Sequence, residues 1–498
     1  MLLRADSIVL IAYLAAVIGC GCWFARRRVG SDEFMAAGRS LPGWAVGLSM
    51  FGSYISSISF LANPGKAYAS NWNAFAFTLA APLGAAIAIR WFVPFYRASG
   101  EVSAYEHLER RFGRWARTYA TTCFLLLQAA RTGAVMYLMA IAVAPLTGWS
   151  VPTTIVVTAT AVTFYTLVGG ISAVVWTGVL QSAVLITGTA VCAYVLVAET
   201  PGGLQAIVRG GVEQQKFSLG DFGPSTVQAT FWVTFLFGLV THLSNFGTDQ
   251  SYIQRYVAAR SDRAARQSVW LTTLLYVPVA GVFFFIGTGL FAHYSQEPAL
   301  VAGIRADQVF PHFIATELPA GVGGLVVAAI FAASMDSNLN SMATLTLCDI
   351  YKPYFRPAAQ ERESLRVLRA ATLGWGLASA GVALGMIRAT SVLDAWWQLS
   401  GIFSGGVLGL FLLGLLCRKA TSPAAGIAVC LGVLVILWMS LPELKWIDAP
   451  ASLRLPLHTS LTMVVGTLTV FLVGATLAAV FGAAGPASYD SPSKGASK

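Results

Sequence analysis

Charge is scarce in this chain. Asp, Glu, Lys and Arg make up 11% of its 498 residues, against roughly 25% in an average soluble domain. A soluble protein of this length could not stay dispersed behind so few charges. Cysteine and histidine chemistry is thin as well. The seven cysteines (Cys20, Cys22, Cys123, Cys192, Cys348, Cys417, Cys430) form no CxxC pair and the five histidines are scattered, which argues against a metal site or a disulfide framework. Enzyme signatures are missing too: there is no GxSxG and no HExxH, and Gly169-Gly170 is followed by no Lys-Ser or Lys-Thr, so the phosphate-loop reading fails. Neither an enzyme nor a cofactor is expected. The net charge of +10 does not point to nucleic acid, because the charges sit in short clusters between apolar runs and form no basic stripe with interleaved aromatics.

What is present is apolar sequence, 56% of the chain, with a mean hydropathy of +0.68. Runs of about 20 such residues are needed to cross a bilayer, and they recur along the whole length. The spacing predicts an all-α polytopic membrane protein, a single transmembrane domain over residues 1–485. About thirteen spans are expected, near 5–25, 43–66, 73–96, 118–145, 152–169, 176–197, 228–255, 268–292, 321–350, 367–387, 396–417, 423–441 and 457–482. The tail 486–498, rich in Ser, Pro, Gly and Ala, is expected to be disordered and cytoplasmic. The first span reads as a retained helix, long and followed by Arg26-Arg27-Arg28, and not as a signal peptide.

Basic loops occur at 26–28, 97–117, 260–266, 352–369 and 418–419, all on one side of the alternation, whereas loops 147–151 and 389–395 are nearly free of Lys and Arg. Positive-inside bias therefore puts the N-terminus outside and the C-terminus in the cytoplasm of a multi-pass plasma (inner) membrane protein. The loop from Ser103 to Phe112 reads as a short amphipathic interfacial helix with a structural role.

Two spans do not look like plain lipid-facing helices. The second carries Gly43, Gly47, Gly52 and the serines Ser49, Ser53, Ser56, Ser57 and Ser59, and is expected to close on Asn63-Pro64-Gly65. The ninth carries Ser334, Asp336, Ser337, Asn338, Asn340 and Ser341 in mid-membrane. Such segments unwind where they line a cavity, and the freed carbonyls can hold a cation. Arg131, in the middle of the fourth span, must face the bundle interior. It either grips a substrate carboxylate bidentately or braces helix carbonyls. Asp336 is read as part of an ion or proton pathway, or as a structural partner, for instance of Arg131.

Several stretches together resemble the sodium:solute symporter family over about residues 5–440. They are Glu33 to Pro42, Ser103 to Phe112, Tyr165 to Gln181, Thr248-Asp249-Gln250 with Gln254-Arg255-Tyr256, and Leu339-Asn340-Ser341 with Asp349 to Lys352. The resemblance implies a LeuT-type fold, a 5+5 inverted-repeat helical bundle. Its core repeats would lie at about 43–255 and 268–417, with an extra first helix at 5–25 and extra C-terminal helices at 423–482. It also implies a secondary active symporter that works by alternating access, with sodium as coupling ion and a small organic solute as cargo.

Among members, bacterial sialic acid symporters are most similar in GWAVGLSMFGSYISSISF and SAYEHLERRF. Carried over by position, Ser56, Ser59 and Arg131 would hold a substrate carboxylate, so the solute is expected to be anionic, a carboxylated sugar such as sialic acid being one candidate. Thr78 stands where those proteins have glutamine, and Tyr54 replaces a smaller hydroxyl residue. The implied sodium ligands are the carbonyls of Gly52 and Ile55, with Ile330, Ala333 and Ser334 or Asp336 and Ser337 from the ninth span. The choice depends on register, because that span is three residues short of the family pattern. The family's acidic residue after Trp-Thr in the sixth span, which some members use for a second sodium, is Gly178 here. Proton coupling and a transport-deficient sensor of the same fold stay open as alternatives.

Overall fold

The structure is a computed structural model that describes residues 4–25, 30–334, 338–388, 392–440 and 457–481. In hydrocarbon every backbone polar group needs an internal partner, so apolar runs must coil. The described residues are accordingly helical, with one isolated bridge between Leu41 and Ala259. In chain order come α1 (Arg4–Ala25), α2 (Ser31–Ala36), α3 (Gly43–Tyr54) and α4 (Ser57–Ala69). The segment Trp72–Ser99 contains α5 (Phe75–Leu79), α6 (Ala81–Ile87) and α7 (Val93–Ser99). Next are α8 (Glu106–Phe112), α9 (Arg114–Thr147), α10 (Val151–Glu199), α11 (Gly203–Glu213), α12 (Phe231–Gly247), α13 (Gln250–Val257) and α14 (Asp262–Tyr294). The chain continues through α15 (Ala306–Thr316), α16 (Val322–Ser334), α17 (Leu339–Leu345), α18 (Lys352–Tyr354), α19 (Glu361–Gly385), α20 (Val392–Leu416), α21 (Ser422–Ser440) and α22 (Leu461–Phe481).

Among the described residues, seven helices are long and apolar enough to cross a membrane, or eight if the bent pair Gly43–Tyr54 and Ser59–Ala69 is one span. The other expected spans coincide with shorter apolar helices: Ala5–Gly21, Val151–Phe164, Phe231–Gly247, Val322–Ala333 and Phe403–Leu416. The protein is thus an all-helical, multi-pass membrane protein. The basic cluster 26–28, residues 335–337 with Asp336 and Ser337, and the tail after 481 lie outside the described residues.

The second span breaks as its glycines and serines suggest. Helix α3 stops at Tyr54, Ile55 and Ser56 are extended (φ −95°, ψ 97° and φ −93°, ψ 172°), and α4 leaves at 51°. Two expectations are corrected. The span does not close at Asn63-Pro64-Gly65, because α4 carries Pro64 inside it and runs on to Ala69. One missing N–H does not end the helix, which is buried against α14 and α15. The seventh span, expected as one helix over 228–255, is broken at Thr248-Asp249 into α12 and α13.

The expected fifth and sixth spans are the two arms of α10, and they meet at non-helical backbone at Gly170 (φ 56°, ψ −156°), where a turn between two spans is expected. A side chain there would be strained by the backbone. Its Cβ would also lie 2.9 Å from the Phe34 backbone.

Candidate functional site

The second-span break leaves carbonyls at the end of α3 without helical partners. Ser53 is met from three directions, twice at its carbonyl and once at its hydroxyl. Arg131 Nη2, on α9, donates to Ser53 O at 2.8 Å, Tyr252 Oη donates to the same oxygen at 3.3 Å, and the buried Arg255 guanidinium donates to the Ser53 hydroxyl. Arg131 therefore stands at the break, where both of its expected roles place it, and the contact seen is the brace on a helix carbonyl. Ser56 is the buried residue ahead of α4, and Ser59 is half-buried in its first turn. Tyr54 ends α3, and its ring lies 5.0 Å from that of Tyr276. Thr78 is buried on α5, with its hydroxyl 3.4 Å from Tyr276 Oη. Tyr54, Ser56 and Arg131 thus gather at one break, and Thr78 is linked to them through Tyr276.

The expected sodium ligands divide. Gly52 and Ile55 flank the end of α3, with Ile55 fully buried. Ile330 and Ala333 are fully buried near the end of α16, which packs against α3 and α4. Ser334 ends α16. The two alignments of the ninth span differ by three residues, about 300° and 4.5 Å along a helix, and the residues that separate them include the undescribed 335–337.

The break in the seventh span is held by Tyr105, Asp249 and Tyr256, from stretches that carry the family resemblance, and by Tyr96 and Gln128, which lie outside them. Three consecutive carbonyls are capped by tyrosine hydroxyls: Phe246 O by Tyr256 at 3.0 Å, Gly247 O by Tyr96 at 2.8 Å, and Thr248 O by Tyr105 at 2.8 Å. Asp249 caps α13, its Oδ1 accepting from Ser251 N at 2.8 Å, where helix polarity favours a negative charge. Its Oδ2 accepts from Gln128 Nε2 at 2.7 Å, and Asn338 Nδ2 donates to Gln128 Oε1 at 2.9 Å. Gln128 lies one turn before Arg131 on α9. It therefore ties the seventh-span break to the first residue described after the gap in the ninth.

The profile of the sodium:solute symporter family matches residues 34–432. The chain belongs to the sodium:solute symporter family. It is 30% identical over 494 residues to the sodium/sialic acid symporter SiaT of Proteus mirabilis, covering 97% of this chain and 96% of that one. It is 32% identical over 487 residues to the sodium/sialic acid symporter NanT of Aliivibrio fischeri, covering 96% and 93%. A solved structure of a substrate-bound, outward-open Na+-coupled sialic acid symporter superposes with a TM-score of 0.88 at 28% identity, over 96% of this chain and 98% of the other.

Gly178, where the resemblance implies an acidic residue, is closely packed. A Cβ there would lie 2.6 Å from Ser49 Oγ and 3.1 Å from Ser49 Cα. Ser182, one turn on, donates to Leu48 O at 2.6 Å. Helices α10 and α3 touch at this point, and an acidic side chain could enter only if they moved apart.

Below the breaks, α13 is locked in place. Gln254 is buried, and its Nε2 faces Met35 O at 2.6 Å, Asn340 Oδ1 at 2.9 Å and Thr344 Oγ1 at 3.1 Å, while Ser341 Oγ donates to its Oε1 at 2.8 Å. Beside it lies an ionic clasp. Asp349, fully buried, accepts from Arg117 at 2.6 Å, Thr121 at 2.6 Å and Ser103 at 2.9 Å. Arg117 also pairs with Glu109 at 2.6 Å. Glu101 touches Arg110. Burial pushes its carboxyl up to about 7, with Glu106 adding to the rise and Arg110 and Arg117 opposing it. The expected amphipathic loop helix is α8. It is tied inward, with His107, Leu108 and Phe112 buried and Arg111 bonded to Gly414 O at 3.0 Å and Cys417 O at 2.9 Å.

Proposed function

We propose that this family member is a secondary active symporter that couples sodium entry to uptake of a small organic anion. The observation that carries this reading is the second-span break, with a guanidinium at the α3 carbonyl end and the N-terminus of α4 beside it. A carboxylate is stabilised by helix N–H groups and by an arginine fork. The carbonyls of Gly52 and Ile55, with oxygens from the end of the ninth span, suit a hard cation. The relatives named for sodium and sialic acid support both halves of the reading. Thirteen crossings and a LeuT-type 5+5 inverted repeat belong to it. A broken helix opens each five-helix unit if the second unit begins at Phe231, a better division than the expected one at 268.

The test is uptake of radiolabelled acids into proteoliposomes with and without an inward sodium gradient, in wild type beside Asp336→Asn. Gradient-dependent accumulation is expected in the wild type. In Asp336→Asn the sodium dependence should weaken and the pH dependence flatten, because a carboxylate that binds sodium also competes for protons. Identical sodium curves would leave Asp336 a structural residue. Accumulation without sodium but with a proton gradient would favour the proton-coupled alternative.

The N-terminus is placed outside and the C-terminus in the cytoplasm. In a cysteine-free background, a cysteine at Trp149 should be labelled in whole cells by an impermeant reagent, and one at Arg114 should not. These two positions flank α9, about 51 Å long, and the reverse labelling would invert the topology.

A further inference from the structure

The wall beside the second-span break is aromatic. Tyr54, 8% exposed, is ringed by Tyr252 and Tyr276 at 5.0 Å each, Phe246 at 5.5 Å and His242 at 5.7 Å between centroids. His242 in turn lies 4.8 Å from Phe77 and 5.9 Å from Tyr276. A polyhydroxylated solute needs a partner for each hydroxyl it buries, and ring faces supply none. They do supply apolar contact with a flat or compact body.

Within this wall two polar atoms are without a hydrogen-bond partner among the described residues, Tyr54 Oη and His242 Nδ1. His242 is fully buried, and its Nε2 lies 3.1 Å from Phe77 O. A carbonyl only accepts, so Nε2 carries the proton and Nδ1 of the neutral ring is an acceptor. No described residue reaches Nδ1. A buried acceptor left unmatched is destabilising, and a donor on a bound solute would remove that penalty.

We infer that Tyr54, Tyr276 and His242 form a selection box that restricts the solute to compact carboxylates with a flat or apolar body and one hydrogen-bond donor for His242, and excludes bulky polyhydroxylated sugar acids. The inference rests on the anion reading above and adds a size limit set by Tyr54 and a donor requirement set by His242.

The test uses purified full-length protein in saturating sodium and three probes: N-acetylneuraminate, mandelate, and phenylacetate, which is mandelate without its hydroxyl. Binding is read by calorimetry and by the rise in Tm that a ligand of the folded state produces. Wild type should bind mandelate at least tenfold more tightly than N-acetylneuraminate. Tyr54→Ser should reverse that order. His242→Phe keeps a ring and removes the acceptor, so it should weaken mandelate at least tenfold and leave phenylacetate unchanged. Wild type binding N-acetylneuraminate as tightly as mandelate overturns the size limit and needs no variant. An unchanged mandelate-to-phenylacetate ratio in His242→Phe overturns the donor requirement. If none of the acids binds while a neutral solute does, the anion reading falls and takes this inference with it.

Discussion

Replacing Arg131 with lysine should lower apparent affinity for the transported anion by well over tenfold, with sodium saturating. The two side chains carry the same charge, so the loss measures geometry. A guanidinium presents five N–H groups in a rigid plane, whereas an ammonium is a compact point charge on a flexible stem. Arg131 Nη2 is held on Ser53 O at 2.8 Å, which fixes the plane of the fork at the break between α3 and α4. A lysine there could bond the carbonyl or approach the solute, and its single nitrogen would do neither with the same orientation. The check is the concentration dependence of uptake in proteoliposomes, together with direct binding to purified protein. Unchanged affinity in both would leave Arg131 as a brace on the Ser53 carbonyl and move the anion site elsewhere.

How much of this was legible in the sequence depends on how far apart the partners lie along the chain. The second-span break was readable because its causes are local: glycines at 43, 47 and 52 and the serine run that follows. Arg131 was readable because a guanidinium in an apolar run has few places to go. The seventh-span break has only Gly247-Thr248-Asp249 as a local signal. What sustains it is remote, since Tyr96 and Tyr105 reach its carbonyls from about 150 residues upstream. A helix-capping Asp inside an apolar span is the cue that could have found it.

Gly178 shows the same limit from the other side. The sequence has glycine where the resemblance implies an acid, while the close contact with Ser49 on another helix exists only once α10 and α3 are packed. Pro64 misleads in the usual way: proline ends isolated helices far more readily than buried ones.

Arg117→Met should be among the most destabilising single substitutions in the molecule, costing about 3–5 kcal/mol, because breaking a buried ion pair leaves the other charge uncompensated. Asp349 has a fully buried side chain, and apart from Arg117 its carboxylate is met by the hydroxyls of Thr121 and Ser103. Two hydroxyls do not replace a cation at 2.6 Å. Arg117 also binds Glu109 and the carbonyl of Cys348, so its removal loosens α8 and the end of the ninth span together.

The loss should reach beyond the clasp. Ser103 leads into Ala104, whose N–H donates to Gln250 Oε1, and Tyr105, whose hydroxyl caps Thr248 O at the seventh-span break. Thermal unfolding in detergent should therefore shift sharply downward, and binding at the break should weaken in step. The double variant Arg117→Met/Asp349→Leu separates the pair from its surroundings. With both charges gone, the stranded carboxylate is gone as well, and more than half of the lost stability should return. If the single substitution costs under about 1 kcal/mol, the typical worth of an exposed pair, the clasp is solvated and does not hold the break. If the double variant is as unstable as the single, the cost comes from lost packing and not from a buried charge left alone.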